Sequence, residues 1–152
     1  MSIRAAVSAD AAAFAAVHAL AFETPWSAGD IRPFIDDRAS FGFAAETAEG
    51  AVAGFILCRI MAGEAEILTL AVDPAHRRQG LATSLVIHAM AAARVSADSM
   101  FLEVAADDPG AIALYEKTGF EPVGRRGAYY ARRGAAAVDA VVMRMTLKGS
   151  GA

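Results

Sequence analysis

The chain has 152 residues, which suits one domain with a substantial core and requires no second domain. Hydrophobic residues make up 56% of it, largely through alanine, and no stretch reaches the roughly 20 consecutive apolar residues of a membrane span. A formal charge of -3 argues against the broad electropositive surface of a nucleic-acid-binding protein, and the single cysteine, Cys58, excludes an internal disulfide framework. The first residues, Met1 to Arg4, lack the apolar core of a secretion signal, so we expect a cytoplasmic protein.

The first half of the chain predicts a short strand, two helices and three further strands. Ser8 is the predicted N-cap of an alanine-rich helix, and Ser27 with Asp30 forms a capping pattern for a second, shorter helix. Two apolar runs separated by a turn then predict a hairpin, and a third run continues the sheet. The predicted ranges are 3–6 for the first strand, 8–22 for the long helix, and 41–46, 52–60 and 66–72 for the later strands.

The second half alternates helices and strands. Asp108 is a suitable N-cap, Pro109 is favoured at the first helical position, and Gly119 suits the left-handed residue after a helix end. The predicted ranges are 79–93 and 109–118 for helices and 100–105, 120–125 and 140–146 for strands. This order indicates an α/β domain with a mixed sheet and helices on its faces. We expect it to span residues 1–147, followed by a flexible tail at 148–152.

A loop after the predicted strand 66–72 has features of a phosphate site. A helix opens there on Gly80, and the first N–H groups of a helix lack partners and carry partial positive charge. Arg77 and Arg78 add formal charge at the same end. Neither G-x-x-x-x-G-K-[ST] nor G-x-G-x-x-G occurs, which argues against an NTPase or a dinucleotide enzyme. A plain turn before a surface helix is the alternative.

The run Arg77-Arg78-Gln79-Gly80-Leu81-Ala82, directly after Leu70-Ala71-Val72-Asp73-Pro74, resembles the acetyl-CoA signature of the GNAT superfamily of N-acetyltransferases. The chain from about Ala65 to Leu147, with the upstream Pro25-Trp26-Ser27 loop, is similar to the bacterial ribosomal-protein alanine N-acetyltransferase branch. The resemblance implies the GNAT fold, a mostly antiparallel central sheet with splayed central strands and helices on both faces. It implies that acetyl-CoA contacts the following residues: Leu70, Ala71, Val72, Arg77, Arg78, Gln79, Gly80, Leu81, Ala82, Thr83 and Asp108.

Attack on a thioester requires a neutral amine, whereas an α-amino group with a pKa of ~7.7 to 8.0 is largely protonated at neutral pH. The reaction therefore needs a proton acceptor for the amine and a proton donor for the departing thiolate. By resemblance, the base is Glu103 in Leu-Glu-Val and the acid is Tyr115 in Ala-Leu-Tyr-Glu. Without the resemblance, Glu103 would be read as solvent-facing and Tyr115 as a packing residue.

Four residues are predicted on the acceptor side: Trp26, Tyr129, Tyr130 and Asp139. The segment Ala131 to Asp139 departs from the branch, which tends to have a proline and a Gly-Arg-Glu-Asp run there. Asp108 also departs from the branch, which usually has asparagine at this position. His18 and His88 lie in predicted apolar helices without partners at metal-ligand spacing, so no metal site is expected.

The resemblance implies acetyl transfer to a protein or peptide N-terminus, in particular the N-terminal alanine of a small-subunit ribosomal protein. A small amine, such as a polyamine or an amino sugar, is the alternative acceptor. A non-catalytic acyl-CoA-binding module is a third possibility. The sequence indicates neither the natural acceptor nor the oligomeric state.

Overall fold

The structure, a computed structural model, describes residues 1–148. Within that range seven strands form one sheet in the order β1-β2-β3-β4-β5-β7-β6. The elements are β1 (Ser2–Ala5), α1 (Ala11–Ala21), α2 (Ala28–Asp36), β2 (Ser40–Glu46), β3 (Val52–Met61), β4 (Glu64–Val72), α3 (Leu81–Ala93), β5 (Ser99–Ala105), α4 (Pro109–Thr118), β6 (Glu121–Arg132) and β7 (Ala135–Thr146). The predicted mixed α/β sheet is confirmed. Residues 149–152 of the predicted tail lie outside the described range.

The parallel pair at the centre of the sheet, β4 and β5, opens into a cleft. The two strands pair only from Glu64 with Ser99 to Ile67 with Leu102. Leu68 is an extra residue in β4, because Leu57 pairs with Thr69 while Cys58 pairs with Ile67. Past this bulge, no ladder joins β4 to β5. The strands are therefore splayed at their carboxyl ends, as predicted.

Helices cover both faces of the sheet, and β3 is buried between them. On one face Phe14 of α1 stacks on Phe55 of β3, with ring centroids 4.2 Å apart. On the other face Ile56 and Cys58 of β3 belong to the core that includes Leu85 of α3. Because alternate β3 side chains enter opposite cores, residues 53–58 are all buried.

The helix starts agree with the sequence for α2 and α4, whereas α3 begins at Leu81, two residues after the predicted 79, and α1 does not begin at Ser8. Ser27 Oγ accepts the Asp30 N–H at 3.1 Å, and the Asp30 carboxylate accepts the Ser27 N–H at 2.9 Å, so the predicted capping box is confirmed. Ser8 instead begins a 3-10 turn, and α1 begins at Ala11. Asp10 caps the start of this turn, since its carboxylate accepts the Val7 N–H at 2.8 Å.

The last two strands are longer than predicted. Each has 12 residues, and they meet at a turn with Gly134 at φ 65°. The pairing is irregular, because Arg126 is opposite Ala140 while Tyr130 is opposite Val138. Alternation of apolar and polar residues is weak in this segment, so the sequence pattern did not reveal the full hairpin. Among residues 1–148, no helix has the length and apolar character needed to cross a membrane.

Candidate active site

The loop between β4 and α3 presents a row of free main-chain donors beside the cleft. Among the described residues, the N–H groups of 78–83 donate to no acceptor, and the first helical bond runs from Ser84 N–H to the Gly80 carbonyl. Gly80 is the N-cap, with φ 74°, and Arg78 is also left-handed, with φ 65°. A Cβ at Gly80 would have no atom within 4 Å. The loop therefore has both the donors and the open space that an anionic group requires.

Glu103 lies on β5 at the first position beyond the paired part of β4 and β5. Its side chain is only 13% exposed, and Oε1 lies 2.9 Å from Nε of Arg126. The Tyr130 hydroxyl donates to the Glu103 carbonyl at 3.0 Å, which fixes β6 against this point of β5. A largely buried carboxylate thus borders the cleft, with an arginine as its counter-ion.

Tyr115 is buried on α4 and packs edge-on against Phe120, with ring centroids 5.8 Å apart. Within residues 1–148 its hydroxyl forms no hydrogen bond. Burial, with smaller contributions from the nearby Cys58, Asp108 and Tyr130, raises the pKa of this hydroxyl. It is therefore protonated at neutral pH and able to donate.

Asp108 caps α4, since its Oδ1 accepts the Ala111 N–H at 3.0 Å. The predicted cap is confirmed. Its predicted contact with a cofactor stays a prediction.

Trp26 is held by a buried histidine that the sequence did not single out for this role. The main-chain N–H of Trp26 donates to Nδ1 of His18 at 3.0 Å. The proton of the neutral ring is therefore on Nε2, and this nitrogen lies 3.1 Å from Thr69 Oγ1 on β4. The imidazole stacks between Phe22, at 4.2 Å, and Trp26, at 5.1 Å. His18 therefore links the loop before α2 to the strand that borders the cleft.

This environment predicts a pH-dependent stability. Burial lowers the pKa of His18 to about 4 from 6.5, so between these values the unfolded chain binds a proton that the folded protein does not. The free energy of unfolding should fall as the pH decreases from 6.5 towards 4, by up to about 1.4 kcal/mol per pH unit. Denaturant titrations at pH 7 and pH 5 measure this effect, which His18→Gln should abolish. An equal pH dependence in that variant would contradict the assignment.

Tyr129 and Tyr130 lie at the irregular part of β6 and contact each other edge to face at 5.0 Å. Asp139 of β7 organises this segment, because its carboxylate accepts the Ala128 N–H at 2.9 Å and lies 3.1 Å from Arg125 Nη2. These contacts lower the pKa of Asp139. The Asp139 carboxylate is thus occupied within the hairpin, and its predicted contact with substrate stays a prediction.

The tip of the β6–β7 hairpin bridges both sides of the cleft. Arg132 forms a bidentate ion pair with Asp107, at 2.8 and 2.9 Å, in the loop before α4. The Arg133 N–H donates at 2.9 Å to the Glu23 carboxylate in the loop after α1. Sequence reasoning missed this bridge, because its partners are up to 110 positions apart and form no local pattern.

Comparison with known proteins places this geometry among acetyltransferases. The model of the acetyltransferase (GNAT) family matches residues 11–120. The [ribosomal protein bS18]-alanine N-acetyltransferase of Escherichia coli K12 is 36% identical over 85 residues, 55% of this chain and 57% of that protein, so the match spans little more than half of the relative. The enzyme of the same name from Haemophilus ducreyi is 30% identical over 126 residues, 81% of this chain and 84% of that protein. The crystal structure of the Escherichia coli ribosomal-protein-S18-alanine N-acetyltransferase superposes with a TM-score of 0.91 at 28% identity, covering 99% of this chain and 96% of that one.

Proposed function

Because the chain belongs to the GNAT acetyltransferase family, we propose that it transfers an acetyl group from acetyl-CoA to the N-terminal amine of a protein. The most specific acceptor is the N-terminal alanine of a small-subunit ribosomal protein. One observation carries the proposal: the cleft between β4 and β5 has the free amides of the β4–α3 loop at one border and the largely buried Glu103 carboxylate at another.

The loop after β4 fits the pyrophosphate of coenzyme A. Six successive amides, residues 78–83, have no partner among the described residues, and Gly80 leaves room for close approach to the main chain. Arg77 and Arg78 are exposed and add positive charge. The other residues proposed to contact the cofactor are Leu70, Ala71, Val72, Gln79, Leu81, Ala82, Thr83 and Asp108. When bound, acetyl-CoA supplies the acetyl group as a thioester.

Glu103 and Tyr115 are proposed to have complementary proton-transfer roles. The Glu103 carboxylate accepts a proton from the acceptor ammonium, directly or through water, and so generates the neutral nucleophile. The protonated Tyr115 hydroxyl donates to the departing sulfur. Among residues 1–148, the edge of β4 that faces the cleft has no strand partner past Ile67, so its amides are available to the oxygen on which negative charge develops.

The acceptor N-terminus is proposed to enter between the loop that contains Trp26 and the β6–β7 hairpin. Tyr129 and Tyr130 lie on this hairpin, and Asp139 maintains its shape. Support for a ribosomal acceptor comes from the two relatives, each named as an alanine N-acetyltransferase of ribosomal protein bS18.

The proposal is tested by measuring thiol release from acetyl-CoA with a panel of acceptors. Peptides that differ in the first residue and in the number of following basic residues are compared with spermidine and glucosamine. We expect release with free peptide N-termini, best with alanine. Thiol release only with the small amines would show that the acceptor is a small amine and not a protein N-terminus. A rise in Tm with acetyl-CoA but no release with any acceptor would indicate a binding module.

Gly80→Val is expected to weaken acetyl-CoA binding. A side chain at φ 74° is strained, and the shifted amides would lose hydrogen bonds, so the Kd should rise about tenfold. Gly50→Val in the β2–β3 turn is the matched control, because it has φ 84° and also nothing within 4 Å of a Cβ. Calorimetry should show unchanged affinity for that control. Equal affinities for the two variants would refute the loop assignment.

A further inference from the structure

We propose that Arg126 is a positioning residue that occupies the place of the acceptor ammonium beside Glu103 until the acceptor displaces it. The inference rests on the proposed function and adds a determinant of acceptor affinity. Its basis is the ion pair between Arg126 Nε and Glu103 Oε1, at 2.9 Å.

The two partners differ in their environments. The Glu103 side chain is 13% exposed, whereas that of Arg126 is 59% exposed. A largely buried carboxylate requires a cation nearby, and the loss of one without replacement is costly. An exposed arginine gains little from a single ion pair, so its departure costs little. The ion pair is therefore stable while the cleft lacks another cation. When a cation enters, it readily replaces Arg126 beside Glu103.

Arg126 also contacts a second group, the ring of Tyr129. Its guanidinium carbon lies 5.4 Å from the centre of the Tyr129 ring, which attracts a cation. The main chain around it is held independently, because Asp139 binds Arg125 and the Ala128 N–H. The side chain can thus leave Glu103 and keep its contact with Tyr129, without movement of β6.

An α-ammonium group is the appropriate replacement. It carries one positive charge and N–H donors, as does the guanidinium, so the exchange leaves Glu103 paired at every stage. An N-terminus that is already acylated has no charge and cannot displace Arg126. The ion pair therefore favours charged N-termini and raises the KM of all of them by competition.

The test compares Arg126→Gln with Arg59→Gln, using thiol release with a peptide that has a free N-terminal alanine. Arg59 is the matched control, since it is also exposed and pairs with a glutamate, Glu66, at 3.0 Å. Removal of the competing cation should lower the KM for the peptide about threefold to tenfold, with kcat changed less than about twofold. Arg59→Gln should leave both constants unchanged. An unchanged or higher KM in Arg126→Gln, or a loss confined to kcat, overturns the proposal.

A second measurement decides the matter even if the wild-type protein acetylates no peptide, a result that would refute the proposed function itself. The Nε–H signal of Arg126 is assigned by its absence in Arg126→Gln and followed by NMR as alaninamide is added. A shift of this signal, with that of Arg59 unchanged, supports displacement. No shift at saturating alaninamide overturns it.

Discussion

Tyr115→Phe is expected to lower kcat by about a hundredfold, the usual contribution of a positioned general acid. The phenylalanine ring retains the edge-on contact with Phe120, and within residues 1–148 the lost hydroxyl forms no hydrogen bond. The substitution should therefore remove a proton donor and little else. Steady-state thiol release at saturating peptide and acetyl-CoA measures the effect.

Two measurements separate this loss from damage to the fold. The Tm of Tyr115→Phe should match that of the wild-type protein, and the Kd for acetyl-CoA should change by less than about twofold, since the proposed role is confined to proton transfer. A wild-type kcat in the variant would remove Tyr115 from the chemistry.

Glu103→Gln is expected to lower kcat/KM by about a hundredfold at neutral pH, because glutamine cannot accept the proton of the acceptor ammonium. The rate should recover in part as the pH rises through ~8, where more of the α-amine is already neutral. The glutamine side chain has nearly the same shape, so the cleft itself should be preserved. A pH profile of kcat/KM from 6.5 to 9 would measure both effects.

Glu66→Gln is the matched control for this experiment. Glu66 is also a strand glutamate paired with an exposed arginine, and its side chain is 21% exposed, against 13% for Glu103. Its loss should leave kcat/KM unchanged. If both variants lost activity equally, the effect would stem from sheet stability, and Glu103 would have no special role.

The elements with local sequence signals could be predicted closely. The bounds of α4 agree with the prediction, because Asp108 and Gly119 terminate the helix through contacts within a few residues. Ser8 failed as a cap because Asp10, which is paired with Arg4 from β1, caps a 3-10 turn at Val7, and α1 begins only after that turn. Helix ends can therefore be predicted where the capping groups are close in sequence, and are missed where a side chain from a distant element binds the capping residue.

Some features of the candidate site could also be predicted from the sequence, and others could not. The resemblance gave the proposed roles of Glu103 and Tyr115. The structure places Glu103 at the first position of β5 beyond its pairing with β4, and Tyr115 in the core on α4. The sequence could not predict the contact of Glu103 with Arg126, the bulge at Leu68 or the bridge of Arg132 to Asp107. These features depend on the register between strands that are distant in sequence, and the irregular pairing in β6 breaks any simple count.

A crystal structure of the complex with acetyl-CoA would show whether the amides of residues 78–83 hold the pyrophosphate of coenzyme A. We expect pyrophosphate oxygens about 2.7 to 3.2 Å from several of these nitrogens, as in ordinary N–H···O hydrogen bonds. A complex with the coenzyme bound elsewhere, or with these amides turned away from it, would show that this loop is not the pyrophosphate site.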